Sequence, residues 1–236
     1  MCASRIALKV VNIITSRYGK ISSMNNGVSV ILGALDNNDS SAIVRCGGTE
    51  VACGLYGPTD ARGFKDNHRG LIVEVSTRSN VALPTHTHKH IDTIIADIIM
   101  RSVDSRSFPH LQLNVHIEVL SDNGRLLSVV GNAVYFALLD SGLPLKHKFV
   151  SFLVGYIDEQ LVLDPGNDDL RGALGSVTVF VDIDSFEEIY VTQEDGLVSP
   201  DFHEKFSTHI GAFCRSKCEN LMTTISVAEP QLRFSR

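Results

Sequence analysis

The stretch 126–139 constrains this chain more than any other. It is apolar nearly all round, from Leu126 and Leu127 through Val129, Val130, Val134 and Phe136 to Leu139, and it stops at Asp140, Ser141 and Gly142, just before Pro144. A helix without a polar face lies inside a core, and a glycine followed by proline marks its carboxyl end. Strands must accompany it. Leu111, Leu113, Val115, Ile117 and Val119 alternate with Gln112, Asn114, His116 and Glu118, which predicts a half-buried strand. Val177, Val179, Val181 and Ile183 repeat the pattern before a turn at Asp184 and Ser185, and a short apolar run at 189–191 completes a hairpin.

Further strands are expected at 42–44, 51–55, 71–75, 149–157 and 161–163. Ile91, Ile94, Ile95, Ile98 and Ile99 recur with a helical period and give one apolar stripe to lay on a sheet. A last helix is expected to open at Ser199 and Pro200, a cap followed by proline at the first helical position. It carries Phe202, Phe206, Ile210, Phe213, Leu221 and Ile225 on one face and ends at Glu229 and Pro230. No repeat, low-complexity tract or long linker interrupts these elements. Strands interleaved with buried helices give an α/β or α+β class with sheets covered on one face.

With 236 residues, 44% of them hydrophobic and 20% charged, the chain is able to bury roughly 70–75% of its unfolded surface around one sizeable core. Its formal net charge of −6 argues against a protein that coats nucleic acid alone, because such binding rests on Lys and Arg neutralising phosphates. Any RNA contact is therefore local or shared with partners. Cys2, Cys46, Cys53, Cys214 and Cys218 form no CxxC pair, and an odd count suits free thiols in a reducing compartment. Cys214 and Cys218 stand one helical turn apart and read as core thiols, since two ligands do not close a zinc site. Residues 1–35 hold no acid but carry Arg5, Lys9, Arg17 and Lys20. A transit peptide is one reading; an amino-terminal strand or arm over 1–20 is preferred, followed by one domain over 21–229 and a tail over 230–236.

A resemblance enters at residues 38–58. Asp39, Ser40, Ser41 and Ala42, then Gly47, Gly48, Thr49, Glu50 and Val51, then Tyr56, Gly57 and Pro58 resemble the opening signature of the RNase PH family of phosphorolytic exoribonucleases, with Ser40 where that family usually has glycine. Three further blocks follow in family order: 131–144 resembles its central helix, 161–165 its acidic strand end, and Asp195, Gly196 and Leu197 its closing element. The blocks reach from about residue 25 to 226, and 121–127 and 163–165 look most like a ring subunit of the RNA exosome. The resemblance implies an α+β (α/β) domain of two βαβ-type halves with mixed sheets and packed helices, the ribosomal protein S5 domain 2-like arrangement. It further implies a hexameric ring of RNase PH-like exosome subunits threaded by single-stranded RNA, location in the nucleus, nucleolus and cytoplasm, no resident cofactor and no membrane. Self-association of the isolated chain as a homodimer is also expected.

Phosphorolysis presses inorganic phosphate against a phosphodiester, two anions that repel, so its site needs positive charge and oriented N–H donors. Active family members open the central helix with a Gly-Thr/Ser-Arg motif. Counted back from Gly131, that motif falls on Arg125, Leu126 and Leu127, so leucine occupies the arginine position. Active members also carry two aspartates six positions apart; Asp164 matches the first and Leu170 the second, with Asp168 and Asp169 beside it. A one-residue shift on a strand or tight loop aims a side chain elsewhere. Gly124 and Arg125 could keep a vestigial phosphate site, although a turn residue is the preferred reading of Arg125. The resemblance thus implies a degenerate site at Gly124, Arg125, Leu127, Asp164, Asp168, Asp169 and Leu170, with no catalytic residue.

Arg62, Lys65, His68 and Arg69, in the loop after Pro58, are the RNA-binding candidates, because this loop faces the channel in relatives and a basic segment suits backbone contact. A solvated hairpin loop explains them equally well. His86, His88 and His90 alternate, and in an extended segment they would share one face able to hold a metal; a solvated loop and helix start is preferred. The leading expectation is a non-catalytic ring subunit. The alternatives are an active 3′ to 5′ exoribonuclease using Asp164 with Asp168 or Asp169 and Arg125, and a metal-dependent hydrolase centred on the three histidines.

Overall fold

A computed structural model describes residues 28–35, 37–61, 70–80, 85–157, 160–196 and 200–227. In chain order these form β1 (Val28–Leu32), β2 (Ser40–Cys46), β3 (Thr49–Asp60), β4 (Ile72–Ser79), α1 (Thr85–Ser102), β5 (Leu111–Ser121), α2 (Leu126–Ser141), β6 (Phe149–Ile157), β7 (Gln160–Leu163), the single turn α3 (Asn167–Leu170), β8 (Gly175–Asp182), β9 (Glu188–Gly196), α4 (Pro200–Thr223) and β10 (Ile225–Val227). A six-stranded sheet runs β10-β1-β2-β3-β5-β4, and a four-stranded sheet runs β7-β6-β8-β9. The first sheet is mixed, with β10 parallel to β1 and β4 parallel to β5; the second is antiparallel throughout.

The apolar helix is explained by its place between the sheets. α2 packs on β2 and β3 on one side and on β6 and β8 on the other, so it has no solvent face. Val129, Ala133, Val134, Ala137 and Leu138 are fully buried. The fit is tight at Gly131, where a Cβ atom would stand 2.3 Å from the Phe180 ring and 2.5 Å from Ser151 Oγ. A polar lock fixes the depth: the Asn132 amide donates to the Ser151 carbonyl at 2.7 Å and accepts the Ser151 N–H at 3.0 Å. Both groups are buried, so each would be costly to leave unpaired. α1 lays its isoleucine stripe on β4, and α4 sets Phe213 against Phe152 of β6.

The sequence pattern and the fold part at the end of the last helix. α4 ends at Thr223 rather than near residue 229, and Ile225 belongs to β10. Thr223 and Thr224 both turn their hydroxyls back onto main-chain carbonyls of Asn220, and such bonding by β-branched threonines disfavours a further helical turn. β1, at Val28–Leu32, is the partner that the following Ile225–Val227 segment joins. Among the described residues no helix is long and apolar enough to cross a membrane.

Candidate functional site

The loop from β5 into α2 is built by the family-like signature of β3. The Thr49 hydroxyl donates to the Gly124 carbonyl at 2.6 Å and accepts the Asn123 N–H at 2.9 Å, and Asp122 accepts the Gly124 N–H at 3.0 Å. Gly124 takes φ +83°, a left-handed backbone suited to glycine, and any Cβ there would meet Asn167 Oδ1 at 3.2 Å. Arg125 follows, also left-handed at φ 55°, as the cap of α2. The signature threonine thus holds a turn and is itself fully buried.

That backbone sends the Arg125 side chain inward. It is only 8% exposed, its Nη1 donates to Cys46 Sγ at 3.7 Å, and its Nε is buried without a partner. Asp164 is equally enclosed. Its Oδ1 accepts the Leu153 N–H at 3.2 Å, and its Oδ2 accepts a hydrogen bond from the ammonium of Lys217, a residue of α4 that is itself 2% exposed. Lys217 Nζ also lies 3.6 Å from Cys46 Sγ. Burial alone would pull the Lys217 pKa down. The Asp164 carboxylate and the Cys46 sulfur outweigh that effect and hold it above the ordinary lysine range, against opposition from Arg125. The four groups form one buried polar knot that ties β2, α2, the end of β7 and α4 together.

Above the knot lies a cavity of about 520 Å³ whose wall includes Thr87, Asp122, Gly124, Arg125, Leu170 and Arg171. Leu170 stands on this wall where the second family aspartate would be, with its Cδ1 3.4 Å from the position of a Cβ on Gly124. Leu127 is 6% exposed and packed into the core. Asp169 accepts the Gly166 N–H at 3.0 Å and so closes its own helical turn. The side chain of Asp168 lies outside the described residues, as do Arg62, Lys65, His68 and Arg69. Among the described lining residues Asp122 supplies the one carboxylate. Asp164 does not line this cavity. Its carboxylate instead meets Lys217, which sequence reasoning missed.

The histidines sit otherwise than an extended segment would place them. His86, His88 and His90 belong to α1, where His88 points about 160° away from the other two, so the three do not share one face, although His86 and His90, four residues apart, stay on the same side of the helix. No group of three metal-ligating side chains occurs among the described residues. Cys214 and Cys218 are buried free thiols of α4, as the core reading expects. A larger cavity, about 820 Å³, lies over the outer face of the six-stranded sheet and is walled by Asn38, Tyr56, Ser76, Arg78, His116 and Glu118. Tyr56 and His116 meet there edge to face with centroids 5.4 Å apart.

The chain is similar to the RRP46 homolog of the exosome complex from Caenorhabditis elegans, at 28% identity over 146 residues, 62% of this chain and 67% of that protein. It is also similar to the exosome complex component Rrp41 of Nitrosopumilus maritimus, at 24% identity over 188 residues, 75% of this chain and 76% of that one. Among solved structures, rice (Oryza sativa) Rrp46 shares the fold with a TM-score of 0.77 at 20% identity, covering 87% of this chain and 97% of that chain. The family model for the 3′ exoribonuclease family (RNase PH), domain 1, matches residues 27–144, half of the chain, and the chain therefore belongs to that family.

Proposed function

We propose that this protein is a ring subunit of an RNA exosome that completes the assembly and lines part of its RNA path without contributing a catalytic group. The observation that carries the reading is the pairing of Asp164 with Lys217. A carboxylate that is buried, tied to an ammonium and a main-chain N–H, and set off the cavity wall is poorly placed to position a metal or pass a proton to a leaving 3′ oxygen. Leu127 and Leu170 stand at the two remaining family positions, and neither offers a charge to a phosphate. The names of the relatives, exosome components of both Rrp41 and RRP46 type, support the assembly. Its partners are then other RNase PH-like subunits in a hexameric ring and single-stranded RNA in the channel, met by Arg62, Lys65, His68 and Arg69, in the nucleus, nucleolus and cytoplasm.

The test is an RNA decay assay on the purified chain, with and without inorganic phosphate, followed by assembly with candidate ring partners. The expected outcome is no phosphate-dependent shortening and no nucleoside diphosphate release, together with incorporation into a larger particle. Phosphorolysis abolished by Asp164→Ala in a folded variant would overturn it in favour of an active exoribonuclease working at the 520 Å³ cavity.

A further inference from the structure

A concave surface whose polar side chains have no partners within the fold is where a small ligand is held. The cavity of about 820 Å³ over the outer face of the six-stranded sheet is of that kind. Its floor lies low because β3 places Ala52 and Gly54 there, next to Glu118 and His116 of β5. A Cβ atom on Gly54 would run into the Asn38 amide, so glycine at this position lets the loop after β1 settle onto the sheet as one wall. The rings of Tyr56 and His116 line the cavity as well and offer a flat ligand an aromatic surface.

The charges on the rim are what select the ligand. Arg78 of β4 and Glu118 of β5 are direct neighbours in the parallel register, on strands roughly 4.8 Å apart, and both line the cavity. Among the described residues no hydrogen bond or ion pair joins them. Glu118 Oε1 accepts from Asn80 Nδ2 at a long 3.4 Å, which leaves its second oxygen open. Asn114 Oδ1 accepts from Gln112 at 2.7 Å, and its own N–H groups stay uncommitted on the same wall. A guanidinium seeks two acceptors and a carboxylate two donors, and here the two stand side by side. Guanine carries that order along one edge: N7 and O6 accept, and N1–H and the N2 amino group then donate. Adenine presents acceptor, donor, acceptor along the same edge and would set its N1 lone pair against Glu118. A phosphate is not what the pair selects, because Glu118 repels the anion that Arg78 attracts.

We propose that the outer face of the six-stranded sheet carries a guanine-binding site, in which Arg78 holds N7 and O6, Glu118 holds N1–H and the N2 amino group, and the base rests on the floor made by Ala52 and Gly54 against the rings of Tyr56 and His116. The site lies on the face of the sheet turned away from α2 and needs neither the 520 Å³ cavity nor a ring. An absence of phosphorolysis or of ring assembly therefore leaves it untouched.

Titration of the purified full chain with guanosine 5′-monophosphate and adenosine 5′-monophosphate tests it, since the two carry the same phosphate and their difference reads the base alone. The guanine nucleotide is expected to bind at least about tenfold more tightly, the discrimination that one good bidentate contact supplies. Glu118 and Arg78 are both exposed, so Glu118→Gln and Arg78→Met leave the fold intact. Each is expected to weaken guanine binding at least about tenfold, and Glu118→Gln to bring the two nucleotides within about threefold of each other. NMR places the ligand independently of any variant: the ring protons of His116 are expected to shift on addition of the guanine nucleotide. Short single strands of RNA, guanine-rich or adenine-rich, distinguish the source of the base. A guanine-rich strand that binds more tightly than the nucleotide and loses its advantage in Glu118→Gln makes RNA the ligand, whereas equal affinity makes it the free nucleotide, and both outcomes support the site. Equal binding of the two nucleotides overturns the proposal. So does a guanine preference that survives Glu118→Gln, a His116 ring that does not respond, or no binding of the guanine nucleotide at millimolar concentration.

Discussion

Two aspartate–lysine pairs, in two regions of the molecule, show what surroundings make of the same chemistry. At the surface, Lys146 Nζ lies 2.8 Å from Asp104 Oδ1, with the side chains 46% and 34% exposed. Beneath the family cavity, Lys217 and Asp164 make the same contact at 2% and 9% exposure. The surface pair exchanges its partners with water at little cost, and its loss leaves both charges solvated. The buried pair has no such recourse, and its rupture strands a charge in the core. Asp164 thus anchors α4 to the end of β7 through a buried ion pair whose stability depends on α4 staying docked.

The largest expected effect follows from stranding one partner. Lys217→Met leaves the Asp164 carboxylate buried without its cation and is expected to cost about 3–5 kcal/mol. Asp164→Asn, which suits the left-handed backbone at φ 50° and keeps an acceptor for Leu153, strands the ammonium and costs a similar amount. The double variant is expected to recover most of the loss, because no charge remains to be compensated, and urea denaturation of the three variants measures the coupling. Alkali gives an independent check. The folded-state pKa of Lys217 is raised, so its contribution is fully present below the ordinary lysine value and is lost as pH rises through the folded value. The stability gap between wild type and Lys217→Met is therefore constant from neutrality to about pH 10 and closes only above it. A gap that closed already as pH rose to neutrality from below would assign the effect to a group other than Lys217.

The sequence shows the fold more fully than it shows this anchor. The apolar helix and the alternating strand at 111–119 announce themselves because burial on one face or all faces leaves a period in the residues, and the structure places both as read. The termination of α4 is less visible, since a chain that leaves a helix for a three-residue strand changes its hydrogen bonding without changing its hydrophobicity. Lys217 carries a signal in the sequence itself. It stands three residues after Cys214 and four before Leu221, on the stripe that also holds Phe206, Ile210 and Phe213, and a lysine on an apolar stripe requires a buried partner. Which partner it takes was not legible, because Asp164 lies 53 positions away and meets it only through tertiary packing.

Arg125 sharpens the comparison at intermediate size. Arg125→Met removes a cation that opposes Lys217 but also removes the packing of a long buried side chain, and the net cost is expected to be about 1–2 kcal/mol. The informative measurement is the thermal midpoint in inorganic phosphate against an equal ionic strength of chloride. If Arg125 serves only the buried knot, phosphate raises neither wild type nor variant. A phosphate-specific rise in the wild type that the variant lacks would give Arg125 back to the cavity as an anion ligand.

The smallest effect belongs to the surface pair. Hydrogen bonds from Lys146 and then Ser107 hold the Asp104 carboxyl below its ordinary value. Its contribution is present above the unfolded aspartate pKa and is lost as pH falls through the folded one. Lys146→Ala is accordingly expected to leave the urea midpoint unchanged near neutral pH, because an exposed charge freed of its partner is taken up by water. The change appears only in the titration of the Asp104 carboxyl followed by NMR, which moves upward toward the usual aspartate range while remaining below it, since the Ser107 hydroxyl still donates at 2.6 Å. A Lys146→Ala variant destabilised as much as Lys217→Met would erase the distinction, for it would mean that solvent exposure does not decide what an aspartate–lysine pair contributes to this fold.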